Sequence, residues 1–302
     1  MLIRRAALLA VIVVAAACGG GTDTEADSRP RVVATTTQVG SLVREIGGDA
    51  VDLTVLMKPG IEAHDFELTP EAGAALEEAD MILISGAGLE AWLRDAIATV
   101  GGAEKVRDLS ENIELRSSDE SAGQTDPHYW LSGPNAIVMA GNVERALAAV
   151  VPAAAGEVGA RAEGLIGRLE AADAQVRELI GEIPEAKRTI VTDHDALGYF
   201  IDEYGLTFVG SVFPTMDVAS EPSARDIEAL VSQVRAEGVT AIFTESSVNP
   251  RLARAVAEET GARIVDEPIY TDSLGAEGSG AETLDGMLLH NARVIRGGLL
   301  GS

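Results

Sequence analysis

Only four histidines occur in the chain, at positions 64, 128, 194 and 290, and three of them fall in segments crowded with other polar side chains. His64 lies in Met57-Lys-Pro-Gly-Ile-Glu-Ala-His-Asp-Phe-Glu, a loop punctuated by Pro59 and Gly60. His128 sits in Asp126-Pro-His-Tyr-Trp-Leu and His194 in Thr192-Asp-His-Asp, while an acid, Asp272, occupies Tyr270-Thr-Asp-Ser-Leu-Gly. Imidazole nitrogens and carboxylate oxygens are donors that zinc accepts, and four of them satisfy a tetrahedral ion. None of the spacings is a local metal motif, since there is no His-Glu-x-x-His helix and no paired-cysteine signature. An ion would have to be held by loops far apart in the chain. Taken singly, each histidine reads as well as a solvated or packed loop residue.

The elements that would position these groups alternate. Residues 32–37, 51–57 and 81–85 read as strands from their β-branched and apolar content, with helices over 70–79, 89–100 and 134–150. A further helix passes through Leu42, Val43 and Ile46 and stops at Gly47-Gly48. Later strands are expected at 189–192, 207–213, 240–244 and 263–265, with helices at 196–204, 222–237, 250–260 and 281–295. Such alternation implies parallel sheets covered on both faces. Ligands of open α/β sheets sit beyond the carboxyl ends of the strands, which is where His64, His194 and Asp272 fall.

Between the two sets, residues 152–184 place Val158, Ala162, Leu165, Leu169, Ala172, Val176, Leu179 and Ile183 at steps of four and three, one face of a continuous helix. Pro152 can open it and Pro184 stops it. At 1.5 Å per residue it would run about 45 Å. The expected architecture is α/β: two lobes, residues 31–151 and 185–302, each on a parallel sheet, bridged by one long rigid helix.

Residues 1–17 carry Arg4 and Arg5 followed by the apolar run 6–17, too short to span a bilayer, and read as a signal peptide. Cys18 follows it and is the only cysteine, so no internal disulfide is available. The setting resembles a bacterial lipoprotein processing site, which would make Cys18 the lipidated end of a flexible tether over 18–30. The net charge of −25 opposes binding to nucleic acid and draws cations.

The chain resembles the extracytoplasmic solute-binding proteins of zinc- and manganese-type ABC transporters, the TroA-like or cluster 9 group. The motifs that carry the resemblance are Pro59-Gly-x-Glu-x-His-Asp-Phe-Glu, Asp126-Pro-His-x-Trp-Leu, Thr192-Asp-His-Asp-Ala-x-Gly-Tyr-Phe, Glu221-Pro-Ser, Phe243-Thr-Glu and Tyr270-Thr-Asp-Ser-Leu-Gly. It implies a metal-binding protein rather than an enzyme, two α/β lobes on one long helix, and metal ligands at His64, His128, His194 and Asp272. It also implies an ABC-importer membrane permease as partner, with the chain acting as a monomer outside the cytoplasm. Ala63 replaces the proline usual before the first histidine, and Ser132-Gly133 replaces the common Asp-Pro. The histidine-rich loop of many zinc-specific members is missing from residues 116–125.

Three imidazoles and one carboxylate suit Zn2+, with Mn2+ as the alternative cargo. Glu245 is the foremost candidate to accept an imidazole N–H from behind, with Asp126, Asp193 and Asp195 next, and Trp130 and Tyr199 read either as ordinary core packing or as walls of the site. His290 has no motif and reads as structural. Release is expected through a small lobe rotation and a rearranged loop around Asp272, with capture weakening below about pH 6. A zinc hydrolase, with three histidine ligands and Asp272 or Glu245 as base, is the rival class. Adhesion, a role attached to relatives, has no feature here that tests it.

Overall fold

The computed structural model describes residues 29–301 except 65, 101, 119–122 and 216–220; the leader, Cys18 and most of the tether lie outside the described residues. The first lobe is built on β1 (Arg31–Ala34), β2 (Asp52–Val55), β3 (Met81–Ile84) and β4 (Val106–Asp108), all parallel in the order β2-β1-β3-β4. The central strands Arg-Val-Val-Ala and Met-Ile-Leu-Ile are almost wholly buried, as continuous apolar runs in a sheet covered on both faces must be. The sequence reading had no β4, because Val-Arg-Asp is three residues long and shows no apolar run.

Crossing helices are α1 (Thr37–Gly47), α2 (Pro70–Glu78) and α3 (Ala91–Val100), followed by α4 (Gly133–Val150). Their starts are written locally. Thr36, Thr69 and Ser132 each accept a backbone N–H from the first turn, and Pro70 and Pro134 occupy helix openings where an N–H has no partner.

The bridging helix α5 (Ala155–Gly181) is preceded by a 3-10 turn at Pro152–Ala154. Its 27 residues span about 40 Å. The buried stripe is Val158, Ala162, Leu165, Leu169, Ala172, Val176 and Ile180. Ile180 takes the place expected for Leu179, because the last step from Val176 is four residues, and Leu179 is only partly buried. Ile183 is buried beyond the helix end.

Helix α5 is no bare strut. Helices α1 and α4 lie against it from the first lobe, and α6 (Gly198–Tyr204) and α9 (Leu284–Leu300) from the second. Arg161 on α5 donates to the carbonyls of Ile46 and Gly47 at 2.9 and 3.0 Å, closing the C-terminus of α1. Arg168 pairs with Glu45 of α1 and stands 3.5 Å from Asp285 of α9. One apolar cluster runs from Val32, Val39 and Leu42 through Leu165 and Leu169 to Phe243, Leu288 and Ile295, so both lobes share a core.

The second lobe holds two parallel pairs, β5 (Thr189–Thr192) with β6 (Thr207–Ser211), and β7 (Ala241–Glu245) with β8 (Arg263–Ile269). Strand β5 lies beside β7, and side chains at their ends join them. Helices α7 (Ala224–Ala236) and α8 (Arg251–Thr260) cover them. The capping box of Ser223 and Asp226 starts α7 two residues after Pro222. Strand β8 extends to Ile269, four residues past the sequence expectation. Pro268 is tolerated near its end because, among the described residues, β8 pairs only with β7.

Candidate metal centre

Each of the four sequence-predicted donors leaves a different element. His64 stands in the irregular segment between β2 and α2, where its N–H faces Glu62 Oε1 at 3.4 Å. His128 follows an Asx turn, since Asp126 Oδ1 accepts the His128 backbone N–H at 2.9 Å, and the His128 carbonyl then opens a 3-10 turn at Tyr129–Leu131. His194 comes two residues after β5, its carbonyl held by the Thr192 hydroxyl at 2.7 Å. Asp272 comes three residues after β8, where Asn291 of α9 brackets Tyr270 through both backbone groups.

From these separate origins, one ligand atom of each of the four residues lies within 4.8 Å of all the others. His64 Nε2 is 3.2 Å from His128 Nε2 and 3.8 Å from Asp272 Oδ1. His128 Nε2 is 3.2 Å from Asp272 Oδ1, and His194 Nε2 is 3.1 Å from Asp272 Oδ2. The ring centroids of the imidazoles stand 5.3 to 6.4 Å apart. Although the distances to Asp272 suit hydrogen bonds, the alignment does not: Asp272 Oδ1 and His194 Nε2 are buried with no partner in hydrogen-bond geometry. Such orphaned polar atoms are rare, and here they converge on one point. His128, His194 and Asp272 have fully buried side chains, whereas His64 is 14% exposed.

Behind the cluster, two carboxylates face the far ring nitrogens. Asp126 Oδ1 is 2.8 Å from His128 Nδ1, and Glu245 Oε2 is 2.9 Å from His194 Nδ1. Glu245 also accepts the His194 backbone N–H at 2.9 Å and the Thr271 hydroxyl at 2.5 Å. Asp193 and Asp195 turn elsewhere, Asp193 to the Glu245 N–H at 2.8 Å and Asp195 to the Ser118 hydroxyl at 2.7 Å. Trp130 packs edge-on to His128 with centroids 5.5 Å apart, and its indole N–H donates to the Thr271 carbonyl at 3.0 Å. The Tyr199 hydroxyl donates to the Asp126 carbonyl at 2.9 Å, behind the His128 segment. His290 stays on α9, 2.9 Å from the Pro268 carbonyl and edge-on to Tyr270.

Three features had no part in the sequence reading. Glu62, two residues before His64, is a buried acid pushed up to about 8 by burial and by the charge of Asp272. Gln38 of α1 donates to the same Thr271 carbonyl as Trp130, at 3.0 Å. Gly60 N–H to Ser273 Oγ and Leu274 N–H to Thr37 Oγ1, both 2.8 Å, complete the fastening of residues 271–274 to the first lobe. In this arrangement the loop around Asp272 is tied to the first lobe by these bonds. Glu62 was visible in the motif, but neither Gln38 nor Thr37 stands in any pattern that marks it.

The electrostatics split the imidazoles. Burial outweighs the attraction of Asp272 at His64 and lowers it to about 4. At His128 burial also lowers, but the Asp272 charge, the bond to Asp126 and the Asp126 charge overcome it and raise the group to about 10. His194 is likewise raised well above its ordinary value, with Glu245 and Asp272 outweighing burial. Asp272, despite full burial, is held well below the carboxylate range by His194 and His128. Without a cation, the centre is an aspartate flanked by two imidazoliums and one neutral imidazole.

A profile of the family described as zinc-uptake complex component A, periplasmic, matches residues 32–298. The chain is 32% identical over 284 residues to the manganese-binding lipoprotein MntA of Bacillus subtilis, covering 91% of this chain and 92% of that one. It is 31% identical to the zinc-binding protein TroA of Treponema pallidum, covering 90% of each. The manganese ABC transporter substrate-binding lipoprotein PsaA of Streptococcus pneumoniae is 29% identical, with 92% and 91% covered. Among solved structures, the periplasmic zinc binding protein TroA from Treponema pallidum superposes with a TM-score of 0.83 at 28% identity, covering 90% of this chain and 99% of that one.

Proposed function

Because the chain belongs to the periplasmic zinc-uptake component A family of solute-binding proteins, we propose that it captures a divalent transition-metal ion outside the cytoplasm and delivers it to an ABC-type membrane permease. The observation that carries this reading is the meeting of His64, His128, His194 and Asp272 within 4.8 Å between the lobes. In it, the three Nε2 atoms and one Asp272 oxygen hold the ion. Asp126 accepts from His128 Nδ1, and Glu245 stands 2.9 Å from His194 Nδ1, so a carboxylate lies behind each of these rings, the placement that raises ligand basicity and sets the tautomer.

Zinc is the proposed cargo. Three imidazoles with one carboxylate match its borderline softness and four-coordinate preference. A manganese cargo is the second reading, favoured by relatives named for that metal. Affinity alone does not separate them, because zinc binds nearly any nitrogen and oxygen site more tightly than manganese. Capture and loss of the ion are routed past His64, the one donor with exposed surface, rather than through the fastened segment at Asp272. A shared apolar core argues for small relative motion of the lobes instead of a wide hinge.

Hydrolysis fits poorly. Catalytic zinc keeps three protein ligands and an open position, while four donors here converge; Glu245, the rival base, already serves His194 and Thr271. Cys18 is proposed as a lipid anchor, in keeping with relatives named lipoproteins. Among the described residues no helix is long and apolar enough to cross a membrane.

The test has two parts. Calorimetric titration of the metal-free protein should give one ion per chain for zinc, and a chain that binds neither zinc nor manganese would end the reading. Metal analysis of protein purified from its native envelope, without added salts, then identifies the cargo.

A further inference from the structure

Arg116 is a cation that reaches the back of the metal centre, and it does so across the boundary between the lobes. It stands before the His128 segment in the first lobe, with its side chain 18% exposed. Its Nη1 lies 3.0 Å from Asp126 Oδ2, the oxygen that does not face His128. Its Nε lies 3.0 Å from Asp202 Oδ2 on α6 of the second lobe. The guanidinium carbon is 5.8 Å from the centroid of Tyr199, also on α6. The Tyr199 hydroxyl closes the arrangement, accepting the Arg116 backbone N–H at 3.0 Å and donating to the Asp126 carbonyl at 2.9 Å.

Gly198, the first residue of α6, shows how closely this is built. A Cβ there would overlap Arg116 Nη1 and come within 2.7 Å of Asp126 Oδ2. Its backbone is not in the left-handed region, so conformation alone does not call for glycine. The guanidinium fills the space a side chain would use.

We infer that Arg116 is a positioning residue for cation capture: it binds Asp126 to α6, so that the seating of the second lobe sets the aim of the His128 ring. The inference rests on His128 being a metal donor, as proposed above. A planar fork can hold a carboxylate and a second acid at once, whereas an ammonium is a single point charge. When α6 shifts, Arg116 transmits the shift to Asp126, and Asp126 carries the ring with it. Removing the direct partner of a ligating histidine typically changes affinity by about 10- to 100-fold, and Arg116 acts one contact further out, through Asp126.

The test compares wild type with Arg116→Met, Arg116→Lys and Gly198→Ala, measuring zinc affinity by chelator competition. Ring 15N–1H spectra of the four histidines are recorded on the metal-free proteins. Arg116→Met should weaken binding by about 10-fold, the low end of that range, and Arg116→Lys by less. Gly198→Ala changes no charge, and its overlap falls on the far end of the Arg116 side chain, so the variant should still fold, with circular dichroism as the check. It should nevertheless weaken zinc binding and move the His128 ring signal, leaving that of His290 in place. Should Arg116→Met fail to fold, Gly198→Ala alone decides. Wild-type affinity in the folded variants, or an unmoved His128 signal, overturns the inference. A wild-type chain that binds no zinc sinks the metal reading instead, and the metal-free spectra still judge the Arg116–Asp126–His128 contact.

Discussion

Cation capture should proceed against protons, and the number released measures the electrostatics of the centre. With no ion bound, His64, lowered to about 4, is neutral near pH 7, while His128, raised to about 10, and the raised His194 are charged against Asp272. The ion needs a lone pair from every imidazole, so about two protons should leave for each ion bound. Each proton makes the apparent affinity rise about tenfold per pH unit, or about 1.4 kcal/mol. Across about 1.5 pH units above neutrality, the dissociation constant should therefore fall roughly 1,000-fold. Imidazoles of ordinary pKa, about 6.5, would leave it nearly flat over that span.

Chelator competition at stepped pH gives the slope. Calorimetry at one pH, in buffers of different ionisation enthalpy, counts the protons directly. An affinity independent of pH above neutrality, with no proton release, would refute the picture of two imidazoliums held by one aspartate. The sequence expectation of weakening only below about pH 6 treats the rings as ordinary. The change comes from Asp272 lying 3.1 to 3.2 Å from both rings, with Asp126 and Glu245 behind them.

Three other outcomes are expected. His194→Ala should keep the fold and weaken zinc binding by orders of magnitude, while His290→Ala should leave binding untouched; calorimetry and circular dichroism report both. Glu245→Gln removes the charge facing His194 Nδ1 and should weaken binding about 10- to 100-fold, and equal affinity would dismiss it as a supporting group. For the metal-free fold, His128 sits above its ordinary 6.5, so its stabilisation is whole below about that value and is lost as pH climbs through about 10. The thermal midpoint should accordingly fall less between pH 7 and 10 in His128→Gln than in wild type, and parallel curves would contradict the raised value.

What was legible in the sequence was whatever leaves a local imprint. The apolar steps from Val158 to Val176 mark the stripe of α5, and the runs Val32–Ala34 and Met81–Ile84 mark the central strands, because burial on both faces demands such composition. The histidine donors stood out through the rarity of histidine, while the full set with Asp272 came from the resemblance of the motifs. Contacts between residues far apart in the chain left no such trace. The bond from Gln38 to Thr271 joins residues 233 positions apart, and neither sits in a telling pattern. Asp193 and Asp195 looked as close to the centre as Asp126 by position, yet the turn after β5 sends both away from the rings. Strand β4 escaped because sheet pairing with β3, rather than its own composition, makes it a strand.

The stripe on α5 is walled by α1 and α4 early in the chain and by α9 about a hundred residues after α5 ends. As the chain is made, the first half therefore emerges with a greasy seam that nothing yet seals. Burial of that seam waits for the arrival of α9, so severing the chain near residue 184 should yield two sticky fragments rather than two independent folds. Maturation of this carrier is in that sense a closing act: the helix that seals its interior arrives after the loop bearing Asp272, and the binding centre cannot be assembled piecemeal.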